Sequence, residues 1–174
     1  MKPNNVNVDG VMTFVAQAKA DPSLLRKSKR VEGVWNLVEG RPQFASTMAS
    51  PKGEARVEAD LAPFMGGAGL APDPIQYCLF GLSACFAGTF AAVAAEKGVT
   101  LRSMKVIVEN NVNFERAFGL GNSPVVEEVT ISVVADSDAT DEALAGVEKA
   151  TRERCPGVYC LTKPIPLHTK VERA

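Results

Sequence analysis

Four cysteines and one histidine are the side chains of this 174-residue sequence best suited to chemistry beyond simple charge pairing. A single histidine, His168, excludes every site that needs two, among them three-histidine zinc centres and the paired-histidine helical motif of metalloproteases. Thiol chemistry becomes the main resource. Cys78 and Cys85 stand seven apart and Cys155 and Cys160 five apart. Neither interval is the two-residue spacing of zinc knuckles or thioredoxin-like sites, so a four-cysteine metal site is weakly supported. On one regular helix Cys78 and Cys85 would lie two turns apart, about 10 Å along the axis, and could not bond to each other.

Cys155 precedes Pro156, which disfavours helical geometry at Cys155 yet suits the first turn of a new helix. A helix mouth there, with Arg152 and Arg154 alongside, would favour a thiolate. Cys85 sits mid-helix, where no helix end assists it, and would be reactive only if a cation from elsewhere in the fold stabilised its thiolate. Spacing leaves that open. Cys78 and Cys160 each follow a tyrosine and read as small hydrophobes of the core. His168, in the alternating run PIPLHTKVE, reads as a strand-face residue.

The elements that must position these side chains follow from periodicity and punctuation. Asp9 is placed to cap a short helix over 10–20, where Val11, Phe14, Val15 and Ala18 recur at helical spacing, and Asp21-Pro22 ends it. From Lys29 to Asp60 short runs are separated by Glu39-Gly40-Arg41-Pro42 and Pro51-Lys52-Gly53-Glu54, the turns of three antiparallel strands. FMGGAGLAP, residues 64–72, has no lysine-serine or lysine-threonine pair after it and reads as a tight connector, not a phosphate cradle. Asp73, Pro74 and Gln76 then form an N-terminal capping pattern and Gly98 a stop, predicting one long helix over 74–97. Its small residues Gly81, Ala84, Cys85 and Gly88 share nearly one face and would let another backbone approach closely. Strands are expected at 104–116 and 124–135, a helix over 141–154 started by Thr140, a short helix over 156–162, and a last strand from Ile165 to Glu172.

Composition bounds the function classes. With 46% hydrophobic residues the chain is an ordinary globular one of a single core, divided into an N-terminal helical arm, 1–28, and a main domain, 29–174. Nineteen basic against twenty acidic side chains leave a charge of -1, so no strong field favours nucleic acid or an anionic membrane. The opening MKPNNVNVDG lacks the apolar core of a secretory leader, which sets the expectation of a cytoplasmic protein without permanent disulfides. Residues 78–95 are uncharged and long enough to span a membrane, but alanine, glycine, serine and threonine dilute them. A helix buried within the protein is expected, and no membrane partner.

GGAGLAPDPIQYCLFGLSACF, followed some seventy residues on by ATRERCPGVYCL, resembles the OsmC/Ohr family, the osmotically inducible and organic hydroperoxide resistance proteins. The resemblance covers roughly residues 30–173 and implies an α+β, OsmC-like fold: antiparallel sheets, two main helices, and an intertwined homodimer with buried central helices and active sites at the subunit interface. It implies that Cys85 is the peroxidatic thiol and Cys155 the resolving one in a cysteine-based peroxidase that reduces organic hydroperoxides in oxidative-stress defence. No metal, flavin or haem is implied; the reductant would be an external dithiol of lipoyl type. Gly40-Arg41 looks like the family element whose arginine holds the thiolate, although a hairpin-tip arginine is equally at home in solvent. Where that branch carries a glutamate in the first turn of the central helix, this chain has Ile75. The departure supports an alternative, a small-molecule binding or redox-sensing relative without efficient peroxidase activity.

Overall fold

The computed structural model describes residues 2–173, which form two compact units: one takes the chain up to Asp9 together with everything from Gly81 onward, the other Gly10–Phe80. The division falls within helices α1 (Val8–Ala20) and α2 (Pro74–Glu96).

In the Gly10–Phe80 unit, β1 (Gly33–Trp35), β2 (Phe44–Ser50) and β3 (Gly53–Ala59) make an antiparallel sheet in that order. Gly33 faces Ser46 in the first pair, and Ser50 closes onto Gly53 at the tip of the second. The expected turns are where the sequence places them: Gly40 adopts a left-handed φ of 78° between β1 and β2, which favours glycine. Asp9 lies inside the first turn of α1 and not at its cap, because the helix starts earlier, at Val8.

The glycine-rich segment is a connector, as expected. Gly66 and Gly69 take positive φ, and a Cβ on Gly67 would fall 1.9 Å from the Leu61 carbonyl oxygen, so no other residue fits beneath that strand end. α2 then begins with a complete capping box. Asp73 Oδ1 accepts the amides of Ile75 (2.7 Å) and Gln76 (3.0 Å), and Gln76 Oε1 accepts the amide of Asp73 (3.0 Å).

In the other unit β4 (Leu101–Val112) and β5 (Val126–Ser137) form an antiparallel hairpin running from Leu101 opposite Ser137 to Val112 opposite Val126. β4 starts three and ends four residues before its expected bounds, where Asn113 Oδ1 accepts the Glu115 amide and turns the chain early, and β5 starts and ends two residues late. Their inward residues, Met104, Val106 and Val108 with Val129, Ile131 and Val133, pack on Leu82, Phe86, Phe90 and Val93 of α2. Val147 of α3 (Asp141–Arg154) and Val158 of α4 (Pro156–Thr162) complete this core. Thr140 caps α3 by accepting the Ala143 amide at 3.2 Å. The mixed helices and antiparallel sheets are the α+β architecture the sequence implies.

Two expectations need correction. Residues 163–173 form no strand: Pro164 and Pro166 remove two alternate ladder amides, and the segment, His168 included, is exposed irregular chain. Cys78 and Cys160 are exposed, not packed, because each falls on the outward side of its helix. Within the single chain 28% of the apolar stretch of α2 is buried, and Gly81, Ala84 and Gly88 face outward with open space beyond both glycines.

Candidate thiol site

Cys155 serves two helices at once. Its amide donates to Thr151 O (2.8 Å), ending α3, and its carbonyl accepts from Tyr159 N (3.0 Å), starting α4. Between these bonds its backbone is extended, with φ of -73° and ψ of 118°, as the following Pro156 requires. The bend turns the side chain inward, where it is 1% exposed within the core of the unit.

Half-buried Cys85 lies one residue before the core residue Phe86 on α2. The Cys155 thiol donates to its sulfur across 3.5 Å. A disulfide needs about 2.05 Å, so the two sulfurs must close by roughly 1.5 Å. Gly157 allows this approach. A Cβ there would lie 3.0 Å from Leu82 Cδ1, tighter than ordinary packing, and in ordinary contact with Cys85 Sγ at 3.6 Å.

Burial and nearby polar groups act on the pair together. The Gly157 amide, in the first turn of α4, is directed at the Cys85 sulfur and lowers its thiol pKa. Burial is the larger effect and, with Cys155 and Cys160 also opposing ionisation, pushes the Cys85 thiol above its ordinary value. The arginines beside Cys155 are engaged elsewhere: Arg154 Nη1 meets Glu96 Oε2 at 2.6 Å, and Arg152 Nε faces Glu148 Oε1 at 3.7 Å. Among the described residues the groups that act on Cys85 are Gly157, Cys155 and Cys160, none of them a cation. Among the described residues no cluster of three or more histidine, cysteine, aspartate or glutamate side chains is arranged to hold a metal.

Arg41 belongs to the other unit. It is exposed on the turn before β2, forms no ion pair among the described residues, and lines two clefts of the sheet. Ile75 is half-buried in the first turn of α2. Sequence reasoning missed two residues here. Gly157 could have been suspected from its place straight after Cys155-Pro156, where the absence of a Cβ eases the approach to α2. Asp60 carries no signal beyond standing between β3 and the glycine-rich loop, yet its side chain holds that loop: Oδ2 accepts the amides of Ala68 (3.2 Å) and Leu70 (2.9 Å).

Comparison with known proteins agrees with this architecture. A family model described as OsmC-like protein matches residues 66–170. No curated protein matches the chain. Among solved structures, an OsmC-like protein from Mycoplasma pneumoniae is 18% identical, with a TM-score of 0.59 over 78% of this chain and 87% of that one. An OsmC-like protein of unknown function from Vibrio cholerae is 15% identical, with a TM-score of 0.58 over 79% and 95%. An organic hydroperoxide resistance protein OsmC from Legionella pneumophila is 15% identical, with a TM-score of 0.54 over 79% and 92%. At these identities the likeness is one of fold.

Proposed function

Because the chain belongs to the OsmC-like proteins, we propose that it is a thiol-dependent peroxidase that reduces organic hydroperoxides, with Cys85 as the attacking thiol and Cys155 as the resolving one. The observation that carries this reading is the 3.5 Å contact between two free thiols, one half-buried and one sealed, at a helix junction built to present them. The Cys85 thiolate attacks the terminal oxygen of ROOH, the O–O bond breaks, and the departing alkoxide takes a proton to leave ROH and a Cys85 sulfenic acid. The Cys155 sulfur then attacks the Cys85 sulfur, hydroxide leaves with a proton as water, and a disulfide remains. An external dithiol, of lipoyl type, returns both thiols and is itself oxidised to a disulfide. Resolution needs no large movement, since the sulfurs already touch.

In this reading Arg41 supplies the cation that the raised Cys85 thiol lacks, and a second copy of the chain covers the outward small-residue face of α2, making a homodimer. Its setting is the reducing cytoplasm, where both thiols are regenerated. The test is peroxide consumption with cumene hydroperoxide and dihydrolipoamide: wild type turns over and Cys85→Ser falls to background. Equal background rates in both would end the peroxidase reading. A second reading, redox sensing or small-molecule binding without turnover, is favoured by the burial that disfavours the Cys85 thiolate. It predicts one stoichiometric oxidation and no catalysis.

A further inference from the structure

The Gly10–Phe80 unit holds a buried acid with half its hydrogen-bonding capacity unused. Asp60 is 1% exposed, and its Oδ2 is occupied by the loop amides of Ala68 and Leu70. Its Oδ1 is buried and meets no hydrogen-bond partner at bonding geometry among the described residues, although the backbone amides of Gln43 and Leu61 also bear on the carboxylate. The amide bonds, that from Leu70 foremost, hold the Asp60 carboxyl below the usual range despite burial, so the group is an anion at neutral pH. A buried anion with a free oxygen calls for a donor, and a cation serves best.

Asp60 forms part of the wall of a cleft of about 380 Å³. Of the charged groups lining it, Glu39 and Asp60 are acids and Arg41 is the cation. The amide side chains beside them are engaged: Gln43 donates to Gly66 O and accepts from Leu61 N, and Asn36 donates to Pro42 O and accepts from Val38 N. Arg41 is the cation in this lining and brings the most spare donors. Its guanidinium carries five N–H groups on a long flexible stem, and none is used in an ion pair among the described residues.

The geometry points to Asp60 as the acid that orients Arg41. The guanidinium turns into the cleft and donates to Asp60 Oδ1, and its remaining N–H groups are left facing outward in a fixed plane. Asp60 thereby acts as a positioning residue through Arg41, in place of a carboxylate at position 75, where this chain has Ile75. Bonds from Oδ2 to the loop amides keep the carboxylate from rotating, so Oδ1 presents one direction to the arginine. The inference rests on the role given to Arg41 above, but the pairing itself is measurable without any peroxide.

The experiment follows the Asp60 carboxyl carbon and the Arg41 Nε–H by NMR in the full chain during pH titration, in wild type and in Arg41→Gln. Arg41 is exposed, so that variant folds. The Asp60 midpoint is expected to rise by about one unit or more in Arg41→Gln, the range for losing an adjacent arginine. In wild type the Arg41 Nε–H signal is expected to shift as Asp60 titrates. In Asp60→Asn, where the amide oxygen can still take the loop amides, the Arg41 signal becomes that of a free arginine. If wild type and Arg41→Gln share one Asp60 midpoint and the Arg41 signal ignores it, the pairing is overturned. Should Asp60 titrate below the unfolding range, the Arg41 Nε–H position at pH 7 decides: a free-arginine signal in wild type overturns the pairing. With peroxide, Asp60→Asn and Arg41→Gln are expected to lower kcat/KM by similar factors, and the double variant no further. Background rates throughout would end the peroxidase reading while leaving the NMR outcome to judge the pair.

Discussion

The surroundings of the two thiols and the surroundings of Arg41 are built to opposite standards. Around Cys85 and Cys155 one unit supplies nearly everything: a packed core, a helix junction fixed by two backbone bonds, and a glycine that lets α4 reach the sulfur. Around Arg41 little is settled, for the side chain is exposed and unpaired among the described residues, and the nearby acid has an unused oxygen. The outward face of α2 is open in the same way. Apolar packing positions atoms to within ångströms, but it does so by excluding water, and that exclusion pushes the Cys85 thiol away from its reactive form. Geometry and ionisation are therefore supplied by different parts of the chain, in the account proposed here.

That division can be broken at either end. The largest effect is expected from Cys155→Ser, which leaves the first attack on peroxide intact but removes resolution. Steady turnover with a dithiol should drop at least a hundredfold, with Cys85 accumulating as sulfenic and then sulfinic acid by intact mass. Undiminished turnover would show that the 3.5 Å contact has no part in the cycle.

The open face of α2 is tested by Gly88→Leu. A Cβ at Gly88 meets nothing within 4 Å in the chain itself, so the monomer's thermal stability should be unchanged or slightly higher. If a second copy packs there, overpacking costs about 1 to 3 kcal/mol, and sedimentation equilibrium should show dimerisation weakened by roughly 10- to 100-fold. A wild-type chain that stays monomeric at high micromolar concentration would remove the homodimer from the account.

The pH profile sharpens the same contrast. With burial raising the Cys85 pKa, the thiolate fraction below that pKa grows by about tenfold per pH unit. Removing a supporting cation should move the inflection of the initial peroxide rate to higher pH. Arg41→Ala is expected to show that shift, with a rate near pH 7 lowered by about tenfold. An unmoved inflection would separate Arg41 from Cys85. The smallest effect is expected at Glu96→Gln: its ion pair with Arg154 is exposed, so stability should change by about 0.5 kcal/mol or less and thiol reactivity not at all.

The same contrast marks what the sequence made legible. α2, α3 and α4 could be placed almost to the residue because their signals are local: the Asp73 and Gln76 box, the Thr140 cap, and the proline after Cys155. Long-range consequences were not. Nothing local says that α4 folds back so that the Gly157 amide points at Cys85. Cys78 and Cys160 were misplaced because following an aromatic residue does not fix the side of a helix. The segment 165–172 alternates like a strand, but alternation supplies no partner edge, and its prolines withhold the amides such an edge would use. Asp60 was invisible because a lone aspartate at a strand end has many innocuous reasons to be there.

The central claim, that Cys85 and Cys155 form one redox pair, is tested most directly by treating the reduced protein with one equivalent of cumene hydroperoxide, alkylating the remaining thiols, and mapping peptides without reduction. The account predicts a single linkage joining the Cys85 and Cys155 peptides within one chain, with Cys78 and Cys160 alkylated. A linkage confined to other cysteines, or no linkage while Cys85 passes straight to sulfinic acid, would contradict it.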